Sequence, residues 1–180
     1  MTDAGSGWQT AAPADLGAEA PVLRARSGDQ DAFGELVERH WNEMVALART
    51  TLAGDAEAED LVQESFVHAW QRLASLRRPE SFPAWLRRIV VRRCLRWARR
   101  NPPRQEIPEG AAAGPGEERL DVARVLAALA PRQRAVIYLT EVEGWTPRET
   151  ARILGLLPAT VRVHRFRALK RLRLLLGGDR

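Results

Sequence analysis

Apolar side chains recur three and four positions apart along most of this chain, and no stretch shows the strict alternation of a half-buried strand. From Val22 to Leu52 the repeating positions are Phe33, Leu36, Val37, His40, Trp41, Met44, Val45, Leu47 and Ala48. They predict a helix that starts at Gly28 or Asp31 and stops at Gly54. The cleanest stripe follows: Ala58, Leu61, Val62, Ser65, Phe66, Ala69, Trp70 and Leu73, which predicts a helix over about 56–73 with one buried side. Pro79 and Pro83 interrupt the chain. A further helix over about 83–100 then buries Leu86, Ile89, Val90, Cys94 and Trp97, with Arg87, Arg88, Arg92, Arg96, Arg99 and Arg100 on its other faces. Residues 121–129 and 131–143 predict two more helices, so the fold class is all-α.

The stretch 146–173 reads as a helix-turn-helix. Thr146 is a capping residue, Pro147 suits the first helical position, and Glu149 completes a Thr-x-x-Glu capping box. Ala151, Gly155 and Val161 supply the small residue, turn glycine and apolar anchor that two crossing helices need. The helix from about Pro158 carries Arg162, Arg165, Arg167, Lys170, Arg171 and Arg173. Arginine bonds both phosphates and guanine edges, so this helix suits a DNA major groove. Helical spacing turns Val161, Ala168, Leu169 and Leu172 inward and leaves Arg162, Phe166 and Arg167 toward a groove.

Charge changes the picture by its distribution more than by its total of +5. Residues 77–101 hold nine arginines against one glutamate, a local net of +8, while residues 158–180 hold seven cations against Asp179. Residues 55–71 instead hold five acids and neither Lys nor Arg. Two basic blocks suit two nucleic-acid surfaces. The acidic helix reads either as the solvated side of an amphipathic helix or as a docking surface for a basic protein face. Trp85 and Trp97, spaced with Leu86 and Cys94, read as core, which leaves the loop 76–81 and the outer arginines as candidates for DNA contact.

Composition also divides the chain. Residues 1–20 are rich in small and polar residues without periodicity and read as a flexible tail. Residues 102–118, with four prolines and three glycines, read as a flexible linker. Two small helical domains are thus expected, 21–101 and 119–176, the second containing the helix-turn-helix. Cys94 is the single cysteine, the three histidines are far apart, and no phosphate loop or nucleophile elbow occurs. These features predict no metal site, no cofactor and no enzyme. The N-terminus lacks the cationic start and apolar run of a signal peptide, and no apolar run reaches membrane-spanning length. A cytoplasmic protein without membrane insertion is expected.

Three segments together resemble the extracytoplasmic-function sigma factors, compact alternative sigma subunits of bacterial RNA polymerase. DAEAEDLVQESFVHAWQRL resembles the family's polymerase-docking helix, SFPAWLRRIVVRRCLRWARR its promoter-melting helix, and LAPRQRAVIYLTEVEGWTPRETARILGLLPATVRVHRFRALKRLR its promoter-binding domain. The resemblance spans about residues 22–176. It implies that Asp60, Leu61, Gln63 and Glu64 dock on core RNA polymerase. It further implies that Leu76, Arg77, Arg78, Arg88, Arg92 and Arg96 serve the minus-ten element of promoter DNA. Arg148, Thr160, Arg162, Val163, Phe166 and Arg167 would serve the minus-thirty-five element, and an anti-sigma factor is an expected partner.

The chain departs from the family pattern at Leu76, Arg92, Arg96, Ala159, Val163 and Arg165. Val163 stands where the family commonly has serine and is suited to a thymine methyl. Arg165 stands at a usually apolar position, which bears on the rotation of the recognition helix. The alternatives to an alternative sigma factor are a freestanding helix-turn-helix regulator, which has no use for the acidic helix, and a sigma-like decoy for an anti-sigma factor, which has no use for the nine-arginine block.

Overall fold

The computed structural model describes residues 19–54, 56–102 and 125–176, and among them every regular element is helical. In chain order these are α1 (Glu19–Arg26), α2 (Gln30–Leu52), α3 (Ala58–Arg72), α4 (Phe82–Arg100), α5 (Pro131–Ile137), α6 (Pro147–Leu154) and α7 (Pro158–Leu176). Residues 125–127 are also helical. The expected tail lies outside the described residues up to residue 18. So do Asp55, all of the expected linker after Pro102, and the first residues of the helix expected over 121–129.

The periodic run from Val22 to Leu52 is divided between α1 and α2, and α2 begins at Gln30, between the expected starts at Gly28 and Asp31. Gly28 takes a left-handed conformation (φ 97°), and the Asp29 side chain accepts a hydrogen bond from the Ala32 amide at 2.9 Å. A turn glycine followed by a capping aspartate ends one helix and starts the next. Arg24 closes the corner by pairing with Asp29 and Glu35. At the other end of α2 the C-cap is Ala53, at φ 62° the one non-glycine with positive φ among the described residues.

Helices α1 to α4 bury Val22, Leu36, Met44, Leu47, Val62, Phe66, Leu86 and Val90 in a common core. Phe66 meets Phe33 edge-on at 6.4 Å between centroids and stacks with Trp41 at 6.0 Å. Such pairs add specificity to simple area burial. The half-buried Trp85 and Trp97 pack against this core, as their spacing predicts. Leu76 joins it too, only 6% exposed.

The core does not stop at α4. Val136, Leu139, Ile153, Leu154 and Val161 of the second region belong to the same apolar cluster. Arg134, buried in α5, donates to the carbonyls of Thr51 (2.8 Å), Leu129 (2.9 Å) and Leu126 (3.3 Å). Carbonyls at helix ends lack intrahelical donors and carry partial negative charge, so they accommodate this cation. A smaller cluster of Leu129, Ile137 and Ala168, with Leu126, Leu169 and Leu172 against it, holds α7 to α5.

Two stability effects follow from these local features. Ala53→Gly relieves a left-handed alanine and is expected to raise unfolding free energy by about 1 kcal/mol in urea titration. The Thr150 hydroxyl of α6 is buried and finds no hydrogen-bond partner among the described residues. Thr150→Val removes this unpaired group and is expected to add about 1 kcal/mol by the same titration.

Candidate nucleic-acid and polymerase surfaces

The helix-turn-helix is built as its sequence prescribes. The Thr146 hydroxyl accepts from the Glu149 amide at 3.3 Å, and the Glu149 carboxylate accepts from the Thr146 amide at 2.9 Å. Gly155 ends α6 in the left-handed conformation, φ 67°, and Val161 anchors α7 in the core. Ala168 is buried as well, and Leu169 and Leu172 are half-buried on the same inward side.

The outward side of α7 carries Arg162, Val163, Phe166 and Arg167, all exposed, with Thr160 half-buried at its start. Phe166 is 68% exposed, an unusual position for a large aromatic ring on a basic helix. Arg148 is exposed near the start of α6. Arg165 is different: its guanidinium pairs with both carboxylate oxygens of Glu141, at 2.5 and 3.1 Å. That surface pair ties the usually apolar position to the preceding segment, while the buried Val161 and Ala168 set which side of α7 faces in. Burial and the neighbouring Arg132 and Arg167 push the His164 pKa down, so this ring adds no charge to the face at neutral pH.

Glu141 lies in a widened helical turn, Tyr138–Val142, that extends α5. The Glu143 amide bonds the Tyr138 carbonyl five residues back at 3.1 Å, and Gly144 (φ 74°) reverses the backbone after it. Turns of this kind re-aim the side chains that follow. Here the turn sends Glu141 to α7 and Glu143 to α4.

On α4 the arginines divide. Arg88, Arg92 and Arg96 are exposed, as are Arg77 and Arg78 in the preceding loop. Leu76, expected beside them at the minus-ten element, is a correction. Its side chain is in the core and its carbonyl accepts from Arg26 Nη1 at 3.2 Å, so it presents no surface to a base. Arg87, expected on an outer face, is also turned inward. It donates from Nε and Nη2 to Glu143 (2.7 and 3.0 Å), from Nη2 to Glu43 (2.8 Å) and from Nη1 to the Pro83 carbonyl (3.2 Å). Its guanidinium carbon also lies 5.3 Å from the centre of the Trp145 ring. Burial works against the charge, but the Glu143 hydrogen bond and charge outweigh it and hold the Arg87 pKa above its ordinary value.

The remaining cations crowd one another. Burial first, then Arg92, lowers the Arg88 pKa, and burial with Arg93, Arg72 and Arg96 lowers that of His68. Cations held this close favour an anionic ligand such as a phosphate backbone.

The acidic helix α3 exposes Glu59, Asp60, Gln63 and Glu64, with Leu61 half-buried beside them. Glu59 pairs with Arg49 and Glu64 with Arg93, so part of the charge is met within the fold. Val67, 54% exposed, continues the same side one turn on. Its spacing from Gln63 and Glu64 carries that information, although a single apolar residue on a polar face is a weak signal in sequence. Among the described residues no group of three or more His, Cys, Asp or Glu is placed to hold a metal ion. Cys94 is buried and its thiol is pushed up to about 12. No helix among the described residues is long and apolar enough to cross a membrane.

Comparison with known proteins agrees with this arrangement. The family model for Sigma-70 region 2 matches residues 36–102, and that for Sigma-70, region 4 matches residues 119–172. The ECF RNA polymerase sigma factor SigM of Mycobacterium tuberculosis is 34% identical over 166 residues, covering 88% of this chain and 85% of SigM. The RNA polymerase sigma factor CnrH of Cupriavidus metallidurans is 34% identical over 178 residues, covering 88% of this chain and 93% of CnrH. The solved structure of CnrH with the cytosolic domain of CnrY superposes with a TM-score of 0.71 at 33% identity, covering 91% of this chain and 99% of that one. With its matched regions in order and relatives aligned over most of their length, the chain belongs to the extracytoplasmic-function family of RNA polymerase sigma factors.

Proposed function

We propose that this sigma factor grips its promoter with two separate basic faces while α3 docks on core RNA polymerase. Residues 21–101 form the docking and minus-ten domain, residues 119–176 form the minus-thirty-five domain, and residues 102–118 join them. The protein works in the cytoplasm and catalyses no chemistry of its own. The observation that carries this reading is the segregation of charge: an acidic face on α3, and exposed arginines on α4 and α7. DNA is repelled by the first and attracted by the other two, so one chain needs two kinds of partner.

On α4 and its loop, Arg77, Arg78, Arg88, Arg92 and Arg96 contact the minus-ten element. On the second face, Arg162 and Arg167 bond base edges and phosphates of the minus-thirty-five element, Val163 and Phe166 offer apolar contact to thymine methyls, and Arg148 and Thr160 hold the backbone. On α3, Asp60, Gln63 and Glu64 meet a basic face of the polymerase, with Leu61 and Val67 supplying apolar contact. The RpoE sigma factor of Bartonella quintana, solved with the anti-sigma factor NepR, superposes with a TM-score of 0.67 at 26% identity. That likeness supports an anti-sigma factor as a partner of this chain too.

Transcription from a randomised promoter library with purified core polymerase tests the reading. Transcripts sharing one promoter sequence are expected; tight binding of the isolated protein to duplex DNA without such transcripts would instead mark a freestanding regulator. Asp60→Arg combined with Glu64→Arg places like charge against the polymerase and is expected to weaken core binding at least about 100-fold, with helix content by circular dichroism unchanged. Arg162→Ala is expected to reduce discrimination at one minus-thirty-five position by about 1–3 kcal/mol, measured by competition binding of the holoenzyme. An equal loss on all sequences would assign Arg162 to a phosphate.

A further inference from the structure

We propose that Glu141 stands in for a DNA phosphate: its carboxylate occupies the Arg165 guanidinium and withholds one cation of the recognition helix from the promoter backbone. This inference rests on the reading that α7 lies in the minus-thirty-five major groove, and it concerns how tightly that helix holds DNA of any sequence.

The cations of α7 are not treated alike. The helix carries Arg162, Arg165, Arg167, Lys170, Arg171 and Arg173 and no acidic residue of its own. Among the described residues Arg165 is the one of these that an acid meets, and Glu141 reaches it from 24 residues earlier in the chain.

The pair is bidentate. Arg165 donates from Nε to Glu141 Oε1 at 2.5 Å and from Nη2 to Oε2 at 3.1 Å. Two parallel N–H···O bonds are also how a guanidinium holds a phosphate, so a carboxylate and a phosphate compete for the same edge. The Thr140 hydroxyl bonds Oε1 as well, at 2.7 Å. The Arg165 hydrogen bond, helped by Thr140 and by the guanidinium charge, holds the Glu141 carboxyl below its ordinary range despite partial burial. The anion is therefore in place at neutral pH.

Position decides what Arg165 meets without Glu141. At 100° per residue it stands about 60° to one side of Arg162, off the outward row of Arg162, Val163, Phe166 and Arg167. A helix with its side chains is about 10–12 Å across and the major groove about 12 Å wide, so the flanks of a helix in the groove face the phosphate walls. A free arginine on such a flank contacts a phosphate, which adds affinity without reading sequence. Contacts of that kind strengthen binding to the many non-promoter sites as much as to the promoter. Glu141 removes one of them. Stability is a poor alternative reason for the pair, because its side chains are 45% and 32% exposed and a surface ion pair adds little.

The salt dependence of holoenzyme binding to two short duplexes tests the assignment. One carries the minus-thirty-five element recovered from the promoter library, and the other is of unrelated sequence. Each phosphate neutralised adds about 0.9 to the slope of log affinity against log salt. Glu141→Gln frees Arg165 and is expected to bind both duplexes more tightly at low salt. Between about 50 and 200 mM its affinity is expected to fall about 3.5-fold further than that of wild type, the effect of one added phosphate contact. Arg165→Gln alone is expected to keep the wild-type slope, and the double variant to return to it, with helix content by circular dichroism unchanged in all three.

Three results overturn the proposal. A shallower slope for Arg165→Gln alone shows that Arg165 already leaves Glu141 for the DNA. A gain that persists in the double variant is relief of repulsion from Glu141 without any new contact. Weaker promoter binding by Glu141→Gln makes the pair a brace for α7. Arg162→Ala in the same series separates the proposal from the reading beneath it. An unchanged slope for Glu141→Gln beside a clear Arg162→Ala effect overturns the proposal alone; no effect of either overturns the groove placement of α7 as well.

Discussion

A guanidinium in a protein interior needs an anion, and Arg87 obtains its anion from 56 residues further along the chain. Much of the arrangement follows from that requirement. Removing Arg87 leaves Glu143 buried without its cation, and removing Glu143 leaves Arg87 with only the more exposed Glu43, either of which is more costly than the modest net value of the intact pair. The pair thus supplies orientation more than bulk stability: it sets α4 against the segment that leads into the helix-turn-helix. The Pro83 carbonyl, Glu43 and the Trp145 ring use the rest of the guanidinium surface, so the group is held from several sides. Arg134 plays a parallel part with carbonyls alone, joining the end of α2 to the turn before α5.

Both side chains that orient the second region issue from one widened turn. Within Tyr138–Val142 and the residue after it, Glu141 reaches Arg165 of α7 and Glu143 reaches Arg87 of α4. An ordinary α-helical turn sets side chains 100° apart and would aim these two differently. The extra residue in the turn, followed by Gly144, gives the backbone the freedom to place both carboxylates. A local departure from regular helix thereby couples the rotation of the recognition helix to the packing of the two regions.

Much of this was legible in the sequence because it depends on neighbours. The Thr146–Glu149 box, the Gly155 turn, the stripe on α3 and the inward set Val161, Ala168, Leu169 and Leu172 all follow from spacing alone, and all are found. The break at residues 27–29 had its signals too, a glycine followed by a capping aspartate, and the expected start at Gly28 or Asp31 falls beside the observed Gln30; the short α1 before it did not show separately. What did not show were contacts between distant segments. Arg87 stands three, four and seven residues before the buried Val90, Val91 and Cys94, so spacing sets it nearer the core than Arg88, but its anion does not show until Glu143 is placed beside it. Leu76 likewise looked like a loop residue at the edge of a basic block, yet a leucine after a helical stripe is as readily drawn into the core as left outside. The acidic face was visible as composition; its partial neutralisation by Arg49 and Arg93 was not.

The division of α7 into two sides has a consequence for how such a protein changes over generations. The residues that hold the helix in place, Val161 and Ala168 at the core and Arg165 through Glu141, are distinct from the exposed Arg162, Val163, Phe166 and Arg167. Surface positions of a well-anchored helix tolerate replacement with little loss of stability. With the DNA-reading role proposed above for these four positions, fold and vocabulary are separable: gene copies of this chain can acquire new target sites there while inheriting the same scaffold.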